Sequence, residues 1–162
     1  MPNNGFAGFD DLIVADGIAL DLVVADREAL LAALAVCAGN AAGIDAGLIF
    51  ERVRLREVLG STGFGGGAAI PHAKVTGLTG IIAVVGVTTR PVEFAAIDDL
   101  PVDIAVMLLS PEAAGADHLK ALARISRTLR DPLRLEAMRA ARTNDALRAV
   151  LAAEREAPRR AA

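Results

Sequence analysis

Two apolar runs, at residues 81–88 and 102–109, constrain the fold most. The first reads Ile-Ile-Ala-Val-Val-Gly-Val-Thr and the second Val-Asp-Ile-Ala-Val-Met-Leu-Leu. Both are rich in β-branched residues, and both fall far short of the roughly 20 residues that a membrane-spanning helix needs. A strand that is apolar on nearly every position has no face to offer to water, so it must be covered on both sides. The chain therefore has to supply helices for two layers around one sheet.

The flanking segments read as those helices. Residues 18–24 have strand spacing. Asp26 then reads as the N-cap of a helix over 27–38, ended by Gly39-Asn40, and Asp45 as the cap of a helix over 46–59 stopped by Gly60. A short strand is expected at 68–70. The last third is helical by period over 118–130, 132–142 and 144–154, with breaks at Asp131-Pro132 and Thr143-Asn144. The pattern predicts an α/β single-domain sandwich, with a mixed β-sheet flanked by helices on both faces. Residues 1–17 read as an N-terminal arm, 18–155 as the domain and 156–162 as a flexible tail.

Composition excludes several classes. The 162 residues carry 17 Lys and Arg against 20 Asp and Glu, a net charge of −3. No electrostatic case for nucleic acid follows from that balance. Aromatic residues are 3% of the chain, with no Trp or Tyr, so a base-stacking platform is missing too. The lone Cys37 reads as helix core filler and fits a reducing compartment. Neither a signal peptide nor a membrane-inserting segment is recognisable, and the expectation is a cytoplasmic protein.

The chemistry concentrates between Arg56 and His72. Arg56-Glu57 closes a helix. Ser61-Thr62-Gly63-Phe64-Gly65-Gly66-Gly67 follows, and a short apolar stretch ends on Pro71-His72. Ordering consecutive glycines costs roughly 0.5–1 kcal/mol each relative to Ala, which suits a loop whose backbone approaches something closely. Imidazole is a nucleophile that needs no deprotonation near neutral pH. Glycine-rich backbone and a guanidinium are groups that a phosphoryl would meet. Together they suggest a histidine that is itself phosphorylated. The competing plain readings are a polar strand end for His72, a tight packed loop for the glycines and an exposed charged helix face for Arg56.

Other phosphate and catalytic motifs do not fit. The loop lacks the Gly-Lys-Ser/Thr ending of a P-loop. Its order is helix, loop, strand, the reverse of the dinucleotide fingerprint. Residues 60–63 do not form a Gly-x-Ser-x-Gly elbow. With two histidines far apart and one cysteine, metal ligands of recognisable spacing are lacking.

The segment from Arg56 to Lys74 resembles the signature of the IIA component of the bacterial phosphoenolpyruvate-dependent phosphotransferase system, of the fructose–mannitol type. It is most similar to the nitrogen-regulatory branch. Arg56-Glu57, Gly60-Ser61-Thr62-Gly63, Gly65, Gly67, Ala69 and Pro71-His72 match that signature. Residues 94–104, Phe-Ala-Ala-Ile-Asp-Asp-Leu-Pro-Val-Asp-Ile, resemble the family's apolar turn and next strand. His118-Leu119 opens a helix as in the family, with Leu-Arg-Asp near its end. Phe64 and Ala68 depart from the usual aliphatic residues, a matter of packing.

The resemblance implies that His72 is the phosphoacceptor, through the ring nitrogen distal to the backbone. It implies that His118 orients His72 or stabilises charge. Arg56 would meet the phosphoryl oxygens, with Thr62 and, less directly, Ser61 as hydroxyl donors. The donor would be a histidine-containing phosphocarrier protein, and no metal or organic cofactor is called for. As a phosphotransferase component, the chain would form a phosphohistidine intermediate. Three readings stay open: a phosphorylation-dependent regulator with protein targets, a sugar-type IIA that passes phosphate to a separate IIB protein, and an interaction module without phosphotransfer.

Overall fold

The computed structural model describes residues 5–6, 8–152 and 155–156. In chain order the elements are β1 (Gly5–Phe6), a 3-10 turn (Asp10–Leu12), β2 (Ile13–Leu22), α1 (Arg27–Ala42), α2 (Ala46–Val58), β3 (Gly63–Gly65), β4 (Ala68–Ala69), β5 (His72–Lys74), β6 (Ile82–Val92), β7 (Val102–Ser110), α3 (Ala116–Leu129), α4 (Pro132–Ala140), α5 (Asn144–Ala152) and β8 (Arg155–Glu156). β1 and β8 form a separate antiparallel ladder.

The two apolar runs become β6 and β7, the antiparallel centre of a six-stranded mixed sheet. β2 lies parallel to β6 on one side. On the other side β4 and β5 run parallel to successive stretches of β7, and β3 closes the sheet antiparallel to β4. Side chains along β7 alternate between two cores, as a pleated strand requires. Ala105, Met107 and Leu109 pack with Leu30, Leu34, Ile49 and Val53 of α1 and α2. Ile104, Val106 and Leu108 pack with Ile125, Leu135, Met138, Leu147 and Leu151 of α3, α4 and α5. That is the expected two-faced sandwich, and the double burial explains why these strands lack polar alternation.

Several boundaries differ from the expectation. The first long strand begins at Ile13, ahead of residue 18, so part of the stretch read as an arm is sheet. α1 continues through Gly39-Asn40 to Ala42 and ends at Gly43, which takes the left-handed conformation. Gly39 lies inside the helix, at a point where a Cβ would sit 2.6 Å from the Ile44 carbonyl oxygen. Its small size serves the close approach of α2, not chain termination. The glycine-rich loop contains the short hairpin β3–β4. Of the expected C-terminal tail, residues 157–162 lie outside the described residues.

Candidate functional site

His72 owes its position to an interrupted strand. β4 and β5 follow the same neighbour, β7, but Ile70-Pro71 separates them. The Leu108 N–H donates to the Pro71 carbonyl, so the chain stays in register across the break. The Ile70 N–H donates to Thr62 O, on the side away from β7. In a strand the carbonyl of the same residue points the same way. The Ile70 carbonyl faces the side where β3 has ended, and His72 Nδ1 lies 2.8 Å from it. A carbonyl only accepts, so Nδ1 carries the proton and donates. The neutral ring then presents an unprotonated Nε2.

His118 comes from the first turns of α3, far away in sequence, and the fold brings it to the same place. The two imidazole rings have centroids 5.5 Å apart and planes tilted by 51°. His118 is buried. Its Nδ1 lies 2.6 Å from Oγ of Ser110, the last residue of β7. Both rings line one open cleft with Arg52, Leu55, Arg56 and Lys74. On its other side His72 borders a second concavity with Ser61, Thr62, Phe64 and Ile97.

Arg56 stands at the last turn of α2. One of its terminal nitrogens donates to the Gly60 carbonyl at 2.9 Å, which fixes the guanidinium over the start of the loop. A guanidinium has five N–H donors, so most remain for a ligand. The adjacent Glu57 points inward and is buried. One carboxylate oxygen accepts from the Thr62 N–H at 3.1 Å and the other accepts from the Thr62 hydroxyl. Ser61 Oγ donates to the Phe94 carbonyl at 2.7 Å and accepts from the Gly63 N–H. The hydroxyl protons of Ser61 and Thr62 are therefore directed to Phe94 and Glu57.

The glycine tip also serves another purpose than expected. Gly65, Gly66 and Gly67 all have positive φ. The Gly66 N–H donates to Asp98, and Arg139 donates to the Gly66 carbonyl at 2.6 Å while pairing with Asp103. A Cβ on Gly67 would lie 2.5 Å from the Arg139 guanidinium. These glycines let the hairpin turn tightly under Arg139. Gly65 and Gly66 line a concavity with Leu135 and Arg139 to which neither histidine contributes.

The electrostatics favour neutral rings. Burial is the largest influence on His72 and holds it below the usual histidine range. Its bond to Ile70 and the Glu57 carboxylate pull upward, while Arg56 pushes down. Burial also lowers His118, and Lys74, like His72 whenever that ring is protonated, works in the same direction. The cleft thus holds a nucleophilic nitrogen, a second imidazole and cationic side chains in one place, a set suited to receiving a phosphoryl group.

Glu57 and Ser110 were not singled out as site residues. Glu57 stood in the matching signature, but its type suggested a solvated neighbour of Arg56. A polar residue closing the apolar run 102–109, just before Pro111, was the available signal for Ser110. Among the described residues, no group of three or more His, Cys, Asp or Glu side chains could hold a metal ion, and no helix is long and apolar enough to cross a membrane.

A mixed sheet between two helical layers is the fold of a phosphotransferase-system IIA component. Residues 11–154 match the family described as "Phosphoenolpyruvate-dependent sugar phosphotransferase system, EIIA 2", and the chain belongs to that family. It is 42% identical over 142 residues to a nitrogen regulatory protein of Bradyrhizobium diazoefficiens, spanning 88% of this chain and 93% of that one. It is 45% identical over 103 residues to the nitrogen regulatory protein of Pseudomonas aeruginosa, covering 64% of this chain and 67% of the relative. The crystal structure of nitrogen regulatory protein IIA-Ntr from Neisseria meningitidis superposes with a TM-score of 0.83 at 29% identity, over 88% of this chain and 98% of that one.

Proposed function

We propose that this IIA component accepts a phosphoryl group on Nε2 of His72 from a histidine-containing phosphocarrier protein, and acts as a phosphorylation-dependent regulator in a nitrogen-type phosphotransferase system. The observation that carries the reading is the 2.8 Å contact between His72 Nδ1 and the Ile70 carbonyl. It parks the only ring proton away from the cleft and leaves Nε2 with its lone pair. As the Nε2–P bond forms, the donor's N–P bond breaks and its electron pair stays on the donor histidine. No proton has to move. The Ile70 carbonyl then stabilises the positive charge that develops on the ring.

In this reading Arg56 and His118 meet the phosphoryl oxygens, supported by their sharing one cleft with His72. Ser61 and Thr62 act by shaping the loop, since Glu57 and Phe94 hold their protons. Leu55 in the cleft is 50% exposed, Ile97 in the second concavity 84% and Leu119, next to His118 in the chain, 66%. These apolar side chains suit a face that docks the phosphocarrier and, in turn, regulatory targets or a IIB protein. Phosphorylation adds about 1.5–2 negative charges at the middle of that face. A partner that buries the same face therefore binds the unphosphorylated form more tightly. The regulatory reading draws on the nitrogen regulatory relatives. Rapid onward transfer to a IIB protein, with no other partner, would favour sugar transport instead.

The test is intact-mass analysis after mixing with phosphoenolpyruvate, the first enzyme of the system and the phosphocarrier. The wild type should gain one phosphoryl group and His72→Ala none. Equal labelling of both would refute the acceptor assignment.

A further inference from the structure

We propose that Ser110 is a positioning residue, which fixes His118 as the tautomer protonated on Nε2 and so aims a neutral N–H donor at the phosphoryl group on His72. The inference rests on His72 being the acceptor and deepens that reading.

Ser110 is fully buried at the end of β7. Its backbone is fixed by register with Lys74 and by the Val75 N–H, which donates to its carbonyl at 2.8 Å. Its Oγ lies 2.6 Å from His118 Nδ1, and among the described residues the hydroxyl has no other hydrogen-bond partner. Two assignments are possible for that contact. If Nδ1–H donated to Oγ, the hydroxyl proton would be buried without an acceptor, which is costly. If the hydroxyl donates to Nδ1, both groups are satisfied. The second assignment places the imidazole proton on Nε2, the ring nitrogen away from Ser110.

The surroundings keep that tautomer neutral. His118 lies under burial and beside Lys74 and His72, all of which disfavour a charged ring. The ring lies 5.5 Å from His72 across the shared cleft. A phosphoryl group on His72 Nε2 projects into the shared cleft, where the Nε2–H of His118 donates to one of its oxygens. Arg56 approaches from α2. The phosphoryl group is then held by a cation and a neutral donor from opposite elements. Ser110 touches neither the phosphoryl group nor His72 and acts only through His118.

The decisive measurement is long-range ¹H–¹⁵N correlation NMR of the histidine rings in the full-length, unphosphorylated chain above neutral pH. His118 should show a protonated Nε2 and an unprotonated Nδ1. Ser110→Ala should give a mixture of tautomers, and its transfer from the phosphorylated phosphocarrier should slow about five- to tenfold. Ser110→Thr, which keeps the hydroxyl, should restore both readouts. In a His118→Ala background, Ser110→Ala should cause no further slowing. A wild-type His118 protonated on Nδ1, or slowing by Ser110→Ala with an unchanged tautomer, would overturn the proposal. The wild-type spectrum needs no variant to fold and no phosphate donor. Labelling of His72→Ala would defeat the acceptor reading separately, leaving the tautomer result standing.

Discussion

Buried at the end of α2, the carboxylate of Glu57 holds both the backbone N–H and the hydroxyl of Thr62. This pair of hydrogen bonds ties the helix carrying Arg56 to the loop whose next hydrogen bond, from the Ile70 N–H to the Thr62 carbonyl, frames His72. Glu57→Ala leaves two donors without their acceptor and should cost about 2 kcal/mol of stability. Glu57→Gln, with one acceptor left, should lose about half as much. Urea unfolding measures both, and an unchanged midpoint for Glu57→Ala would contradict the linkage.

Arg56→Lys keeps the positive charge and removes the planar fork. The position is partly exposed and its side chain donates to the Gly60 carbonyl. Stability should change by no more than about 0.5 kcal/mol. Phosphoryl transfer should slow about tenfold, because an ammonium cannot bind Gly60 and phosphoryl oxygens in the same fixed geometry. Stopped transfer reactions resolved by mass give the rate. A wild-type rate would return Arg56 to the role of a surface charge.

Gly67→Ala separates the fold from the site. The added methyl would lie 2.5 Å from Arg139 and 2.9 Å from Asp103, at a φ of +85°. A loss of about 2 kcal/mol is expected from the left-handed backbone and the crowding. The tip is held by Asp98 and Arg139, and none of its three glycines lines the concavities that contain His72, so the folded fraction should accept phosphate at close to the normal rate. A stable but inactive variant would show that the glycines serve the reacting group after all.

The pH dependence of stability follows from the two rings. Their folded-state pKa values lie below the ordinary 6.5. As pH falls through that value, the unfolded chain takes up protons that the folded rings resist. Stability is therefore full above pH 6.5 and declines on acidification until the folded values are passed, where the loss levels off. His72→Gln should flatten part of the slope. Thermal unfolding across this range checks it, and a melting temperature that rises on acidification in this window would contradict the sign.

Much of the architecture was legible from residue patterning. The run 102–109 needed cover on both faces, and the structure supplies it from α1 and α2 on one side and α3 to α5 on the other. What escaped was local. Gly39 reads as a helix stop by type, yet it lies inside α1, where the turn after Gly43 folds the Ile44 carbonyl back against it. Gly65, Gly66 and Gly67 suggested a phosphate cradle, but Asp98 and Arg139, remote in sequence, claim the tip. Thr62 and Ser61 were legible as loop hydroxyls. Where their protons point depends on Glu57 and Phe94, and no sequence spacing reveals that. His118 was reached through family resemblance, since nothing local in its helix points to His72.

The central claim is that His72 presents Nε2 as the phosphoryl acceptor, with its Nδ1 proton held by Ile70. Combined ³¹P and ¹⁵N NMR of the phosphorylated chain tests it most directly. The expected result is a single phosphohistidine, with phosphorus coupled to Nε2 of His72 and a proton still on Nδ1. Coupling to Nδ1 of His72, or to either nitrogen of His118, would contradict the account.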